Sequence, residues 1–308
     1  MIVILSVILA QSFYMKLFYC ISMLLSLNCC FAQTSNLKTN ADDNTLLWEV
    51  SGNGLTKPSY LFGTFHLLCK EDIHFSTALK QAISNSQEVY MELDMDDPST
   101  LLGGIMLMNM KGGKKLKDLY TEAEYKRVEA FFKDSLKTPI TLFQGMKPEF
   151  LVALLYPKMM PCNSVSSVEE EIMGIAKDSA KEIKGLETMA FQASIFDSIP
   201  YDKQADELLD AIDSLQKSKV NFNLMLTAYK NQQMKEIEQF MNDPEYGLED
   251  NQDILLDNRN KNWVQQLKTI MKKEPVFVAV GAGHLGGKAG LIALLRAEGY
   301  MVRGLENK

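Results

Sequence analysis

Glu274-Pro275-Val276-Phe277-Val278-Ala279-Val280-Gly281-Ala282-Gly283-His284-Leu285-Gly286-Gly287 is the stretch from which the fold follows. Its apolar, β-branched run is about six residues long, the length of a strand buried on both faces. The glycines after it permit positive φ and close backbone approach, so the chain turns at the strand's end. Leu291, Ile292, Leu294 and Leu295 then resume at helical spacing, which predicts a helix over residues 288–298. Strand, turn and helix in that order put His284 at the carboxyl end of a strand, where open α/β sheets hold ligands.

The arrangement recurs far upstream. Ser59-Tyr60-Leu61-Phe62-Gly63-Thr64-Phe65-His66-Leu67 again runs apolar strand, glycine, two residues, histidine, leucine. A single Gly-x-x-His is weak, because a histidine in a turn is more often simply packed and hydrogen-bonded. Two copies in a chain with three histidines are a stronger signal. The third, His74, in Asp72-Ile73-His74-Phe75, has no such setting and reads as structural or solvated.

Around the first motif, Leu46 to Val50 and Tyr60 to Phe62 flank Gly52-Asn53-Gly54 and Lys57-Pro58, a β-hairpin signal. Ser76 opens a helix through Leu79 and Ile83, and Glu88 to Asp94 is a short strand ending in acids, with Glu92 and Asp94 on one face. Leu101 to Met110 is too short to cross a bilayer and reads as a core or lid helix, with Met106, Met108, Met110, Met159 and Met160 as packing. Helices are predicted over 122–132 and over 148–160, the second opened by Pro148. Ser167 to Glu170 matches a capping box, and Lys181 to Glu187 is another strand ending in an acid.

From Phe191 to Lys273 the pattern is helical, broken at Ile199-Pro200 and Asn242-Asp243-Pro244, and Tyr300 to Leu305 is the last strand. The expected fold is α/β: a central mixed β-sheet from two related halves, flanked by helices. Helices inserted between about residues 100 and 260 form a cap, and residues 33–308 make one domain.

With 308 residues, 46% of them hydrophobic, the chain can bury one or two cores. A net charge of -7 and a pI near 5.2, with no basic stripe, argue against nucleic acid as a partner. Residues 1–32 carry one charge, Lys16, and read as a signal peptide, for which Met15 makes a better start than Met1 and Ala32 before Gln33 a cleavage point. An uncleaved anchor is the rival reading, because roughly 30 apolar residues can span a bilayer. Lipid attachment at Cys29 or Cys30 fits less well, since a small residue is expected before the modified cysteine and Asn28 or Cys29 stands there. The expected location is therefore the periplasm, the cell envelope or the exterior, with membrane contact only through an uncleaved leader. Three of the five cysteines lie in that leader, which leaves Cys69 and Cys162 as one disulfide or as two separate buried thiols.

His66, Glu92, Glu187 and His284 each end a predicted strand. Two imidazoles and a carboxylate make an open site for zinc, manganese or cobalt, which activates water; the remaining carboxylate can act as general base. Each carboxylate also has a plainer reading. Glu92 stands in an acidic run with Asp94, Asp96 and Asp97 that suits a solvated loop, Glu187 can cap the next helix, and Arg259 can be a surface charge. Gly281 to Gly286 also matches G-x-G-x-x-G, with Glu306 about twenty residues on, the form of a dinucleotide fingerprint. That reading leaves the matching Gly63 to His66 unexplained.

Gly63-Thr64-Phe65-His66-Leu67, Glu92-Leu93-Asp94, Gly185-Leu186-Glu187-Thr188, Arg259-Asn260 and Gly281-Ala282-Gly283-His284-Leu285, in that order, resemble the TraB/GumN family over roughly residues 45 to 305. That family is related to the Tiki metal-dependent proteases and more distantly to erythromycin esterase-like and ChaN-like proteins. The resemblance implies an α/β sheet of two related halves, His66 and His284 as the motif histidines, Glu92 as their acidic partner, and Arg259 as a stabiliser of negative charge. Glu187 matches the Gly-Leu-Glu element.

The expectation is an exported, metal-dependent hydrolase of peptide bonds. His66, His284 and Glu92 hold a divalent ion, Glu187 is the second carboxylate, and Arg259 faces the oxyanion. Two other classes fit the same residues: an esterase-like hydrolase with a histidine base and no metal, and a non-catalytic protein that binds a metal ion, haem or an envelope partner.

Overall fold

The computed structural model of the chain describes residues 37–97, 103–104, 106–243 and 251–308. The leader expected over residues 1–32 and part of the stretch from Leu101 lie outside the described residues. The strands are β1 (Leu47–Ser51), β2 (Ser59–Thr64), β3 (Leu68–Cys69), β4 (Glu88–Leu93), β5 (Val165–Ser166), β6 (Glu182–Glu187), β7 (Val276–Gly281) and β8 (Met301–Gly304). Six of them form a mixed sheet in the order β6-β4-β7-β2-β1-β8, while β3 and β5 pair in a separate antiparallel ribbon.

β6, β4, β7 and β2 are parallel, so four strands deliver their carboxyl ends to one edge. β1 closes the expected hairpin on β2, with Leu47 opposite Phe62, and pairs antiparallel with β8. β7 is the central strand whose apolar run opened the reading, and Val276 to Val280 are buried along its whole length. Register places Thr64 beside Gly281, which puts the two Gly-x-x-His segments side by side. The motif glycines work differently from expectation, since Gly63 and Gly281 are not among the glycines with positive φ. At Gly63 the need is close approach, because a Cβ there would lie 3.0 Å from Ala282 Cα.

The helices are α1 (Thr77–Asn85), α2 (Glu122–Asp134), α3 (Pro148–Val152), α4 (Tyr156–Met159), α5 (Val168–Asp178), α6 (Met189–Ser198), α7 (Tyr201–Asp213), α8 (Leu215–Lys230), α9 (Met234–Met241), α10 (Asn258–Lys273) and α11 (Leu291–Ala297). Ser76 caps α1 by accepting from Leu79 N, and Ser167 caps α5 by accepting from Glu170 N. The helix expected over 148–160 is instead broken into α3, a 3-10 turn and α4; Pro157 lacks the N–H that would continue a single ladder. Met110, Met159 and Met160 are buried as packing residues, whereas Met106 is 80% exposed. The chain after β7 makes a 3-10 turn at Ala282–His284 and begins α11 only at Leu291, so no helix opens at the glycines as a dinucleotide fingerprint requires.

Residues Leu37–Lys308 form one compact unit. Helices from the middle of the chain pack on one another, α3 with α7 and α8 with α4 and α9, and α9 reaches the Ala282–His284 turn. They cover the sheet edge as a cap. Among the described residues no helix is long and apolar enough to cross a membrane.

Cys69 and Cys162 are joined in a disulfide across a sequence separation of 93. Cys69 belongs to β3, so the bond ties the chain just after His66 to the approach to β5. Closing so long a loop restricts the unfolded chain, and replacing both cysteines by serine is expected to cost about 4–5 kcal/mol. Urea unfolding of the oxidised protein and the double variant checks this; equal midpoints would contradict it.

Candidate active site at the carboxyl edge of the sheet

Arg259, one residue into α10, is the hub. Its Nε donates to both oxygens of Glu187 at 3.1 Å, and its Nη2 donates to Glu187 Oε2 at 2.9 Å and to Glu92 Oε2 at 2.6 Å. Nη1 donates to the Leu255 carbonyl at 2.9 Å and lies 3.2 Å from His284 Nε2. The five N–H groups of the guanidinium are thereby engaged. Asp253–Asp257 is a π-helical turn immediately before α10, an irregularity typical of functional sites, and it supplies the Leu255 carbonyl.

His284 is buried, and its Nδ1 lies 2.7 Å from Asn260 Oδ1. Asn260 Nδ2 donates to the Ala289 carbonyl at 2.9 Å, which orients the amide so that its oxygen faces the ring. His284 therefore carries its proton on Nδ1 and keeps a lone pair on Nε2. Trp263, one turn beyond Arg259, lies against both, with its ring 4.8 Å from the guanidinium carbon and 4.4 Å from the imidazole.

Glu92 Oε1 accepts the Gly281 N–H at 2.9 Å and stands 3.7 Å from His284 Nε2. A Cβ on Gly281 would lie 3.3 Å from that oxygen, which is the local reason for glycine at this strand end. Gln192 on α6 donates to Glu92 Oε2 at 3.2 Å and to Glu187 Oε2 at 3.1 Å. The Glu187 side chain is 1% exposed and both its oxygens are taken, so it anchors Arg259 from below and does not reach the cleft. The cap of α6 is Thr188, not Glu187.

His66 lies across the cleft. Its side chain is 79% exposed, and its Nδ1 pairs with Glu169 Oε1 at 2.8 Å. Glu169 sits in the first turn of α5, with Oε2 buried and the Thr64 hydroxyl also interacting with its carboxylate. His66, Glu92, Arg259 and His284 line one cleft of about 520 Å³. A larger cavity of about 1110 Å³, lined by His74, Asn44 and Asn307, contains neither motif histidine.

The environments push the two histidines apart. The Glu169 hydrogen bond lifts His66 to about 9, a lift that cleft water screens because the ring is so exposed. Burial, aided by the charges of Arg259 and His66, pushes His284 down to about 4 against the pull of Glu92. Burial would raise Glu92, but the charges of His284, Arg259 and His66 and the Gly281 N–H outweigh it and hold the carboxyl at about 2. The His284 share exists only when that ring is protonated. At neutral pH the guanidinium, the His66 charge and the amide keep Glu92 ionised.

A stability prediction follows for the metal-free protein. The unfolded chain protonates His284 near 6.5 and the folded chain only near 4, so acidification across that window favours unfolding, by up to about 3 kcal/mol. Stability is fully present above the upper value and falls as pH drops toward the lower one. Urea midpoints measured across the window are expected to fall less steeply in His284→Gln; an unchanged slope would contradict the shift.

The donor set fits a divalent ion. His284 offers a neutral Nε2 beside Glu92 Oε1, and each motif histidine has its Nδ1 held by an oxygen, the outer partner that metal-bound imidazoles usually have. Glu92, Glu187 and Glu169 against Arg259 leave two negative charges when both rings are neutral, which one dication balances. His66 is the distant member: among the described residues the ligand atoms of His66, Glu92 and His284 are not all within 4.8 Å of one another. Among the described residues the cluster that does meet that spacing, Cys69, Glu71 and Cys162, contains the disulfide and cannot offer thiolates.

Four participants lay outside the sequence reading: Glu169, Gln192, Asn260 as an orienting partner, and Trp263. Asn260 stands in the quoted Arg259-Asn260 pair. Trp263, four residues after Arg259 on one helix face, was the available signal for a stacked partner.

The sequence pattern of the TraB/PrgY/gumN family matches residues 46–304. The zebrafish (Danio rerio) protein named Metalloprotease TIKI1 is 22% identical over 328 aligned residues, covering 88% of this chain and 65% of that protein. Zebrafish Metalloprotease TIKI2 is 21% identical, covering 85% of this chain and 61% of its own length. Metalloprotease TIKI2 of Xenopus tropicalis is 32% identical over 93 residues, which are 30% of this chain and 17% of that protein. The chain thus spans less than two thirds of the length of these relatives. No solved structure matches it.

Proposed function

The chain belongs to the TraB/PrgY/gumN family, and from that premise we propose that it is an exported metal-dependent peptidase whose reacting groups are those at the carboxyl edge of β2, β4 and β7. The observation that carries the reading is the Arg259-centred knot, which holds an ionised Glu92 beside a neutral, tautomerically fixed His284 and opens on a cleft shared with His66. Relatives named metalloproteases support a peptide or protein substrate. Export is supported by the apolar leader and by the Cys69–Cys162 disulfide, which belongs to oxidising compartments.

His284, Glu92 and His66 would hold the ion, with manganese, cobalt or zinc all compatible with such ligands. When bound, the ion supplies a more acidic water and polarises the carbonyl to be attacked. The protein's own groups do the rest. Asn260 keeps the His284 lone pair aimed away from the amide, and Gln192 and Gly281 fix the Glu92 carboxylate. Were His284 Nε2 to hold the ion, the Arg259 Nη1 N–H that it accepts in this structure would be free beside the cleft. There it suits negative charge developing on a carbonyl oxygen. Glu187 holds the guanidinium in place for that role. His66, with Nδ1 on Glu169, would leave Nε2 as its ligand atom for the ion.

A second reading rests on the spacing of the ligand atoms. Because His66 stands apart with its own carboxylate, it can act as the general base of a metal-free hydrolase. Mass spectrometry of a peptide panel incubated with the full chain separates the two. Cleavage that a chelator abolishes and manganese, cobalt or zinc restores is expected; chelator-insensitive cleavage favours the metal-free base, and no cleavage under any condition overturns both.

A further inference from the structure

The cleft is apolar well beyond its reacting groups, and its walls begin at residues adjoining the two histidines. Phe65, immediately before His66, packs on Tyr229 with ring centroids 5.1 Å apart and on Phe222 at 5.9 Å. Phe222 in turn stacks on Tyr156 at 5.7 Å with the planes 10° apart, which extends an aromatic wall outward from the first motif. At the second motif, Met241 packs on Gly283, immediately before His284; a Cβ there would fall 2.7 Å from Met241 Cε. Met225 and Leu255 line the same space.

We infer that this space is the pocket for a bulky apolar side chain, aromatic, leucine or methionine, next to the bond that is cut. The inference rests on the peptidase reading and names the substrate class of that site. The first wall starts at Phe65, next to His66 in the chain, and the second packs on Gly283, next to His284, so a peptide bond held between His66 and His284 puts its neighbouring side chain among these rings and thioethers. Among the described residues the charged and imidazole groups lining the cleft are His66, Glu92, Arg259 and His284, all at the reacting end. A charged substrate side chain against Phe222 or Met225 therefore loses water and meets no opposite charge, only neutral side chains such as Ser218 and Asn221. The cleft as a whole, reacting end included, measures about 520 Å³, and flexible methionines let its apolar part accept several shapes.

The test uses the metal-loaded full chain on an equimolar peptide library in which the residues flanking each cleaved bond are read out. Binding of fluorescent peptides centred on Phe or on Asp is measured in parallel on His284→Ala protein, which needs no turnover. Phe, Leu or Met beside the cleaved bond is expected to be favoured over Gly or Asp roughly tenfold to a hundredfold. Met225→Glu, at a partly buried wall position, is expected to erase most of that preference, and Phe222→Ala to weaken it; circular dichroism confirms folding of each. Cleavage without apolar preference overturns the pocket and leaves the peptidase reading standing. Preferential binding without cleavage keeps the pocket and removes the peptidase. Neither preference nor cleavage removes both.

Discussion

Arg259→Ala is expected to lose about 3–5 kcal/mol of folding stability and to reduce peptide cleavage at least ~100-fold. The stability loss comes from Glu187, which is 1% exposed and draws three of its hydrogen-bond contacts from this guanidinium. Without it a buried carboxylate has only the Gln192 amide. The activity loss comes from Glu92, which loses its 2.6 Å partner, and from the missing cation beside the cleft. Arg259→Lys is expected to recover little, because one ammonium cannot fork across two carboxylates and a carbonyl. Urea unfolding and peptide cleavage check both parts; stability within about 1 kcal/mol of the native protein would show that the knot is not structural.

Alanine at His66 and alanine at His284 are each expected to lower cleavage more than ~100-fold, but with different structural consequences. His66 is 79% exposed, and its removal leaves the unfolding midpoint nearly unchanged. His284 is packed on Trp263 and satisfies Asn260, so its removal is expected to cost about 1–3 kcal/mol. Retained activity in His66→Ala together with loss in His284→Ala would reduce the site to His284, Glu92 and Arg259. Equal, native-like activity in both variants would sink the peptidase account.

Much of this architecture is written locally in the chain. Val276 to Val280 and Tyr60 to Phe62 announce buried strands by unbroken apolar runs, and the histidine after each lies just past a strand end, since β2 runs through Gly63 to Thr64 and β7 ends at Gly281. Glu92 and Glu187 are legible for the same reason, as acids that end apolar segments. Pairing between distant strands carries no local signal: that β7 inserts between β2 and β4, and so joins the two motifs, is decided by packing. Glu169 is concealed as one of three first-turn acids of α5, ordinary helix-dipole residues until the fold brings one of them to His66, 103 positions away in sequence. Arg259 and Trp263 are concealed in another way, because a charged, amphipathic helix reads as a solvated layer even when its first turn is the buried hub of a site. Pro157 shows the reverse error, an interior proline read past in favour of periodicity.

The most direct measurement is the metal content of the full chain, purified without added metal and after incubation with manganese, cobalt or zinc, beside His66→Ala and His284→Ala. About one equivalent bound by the native protein and lost in both variants is the expected result for a single shared ion. No bound metal under any of these conditions, in protein that is folded by circular dichroism, would contradict the metal-dependent account.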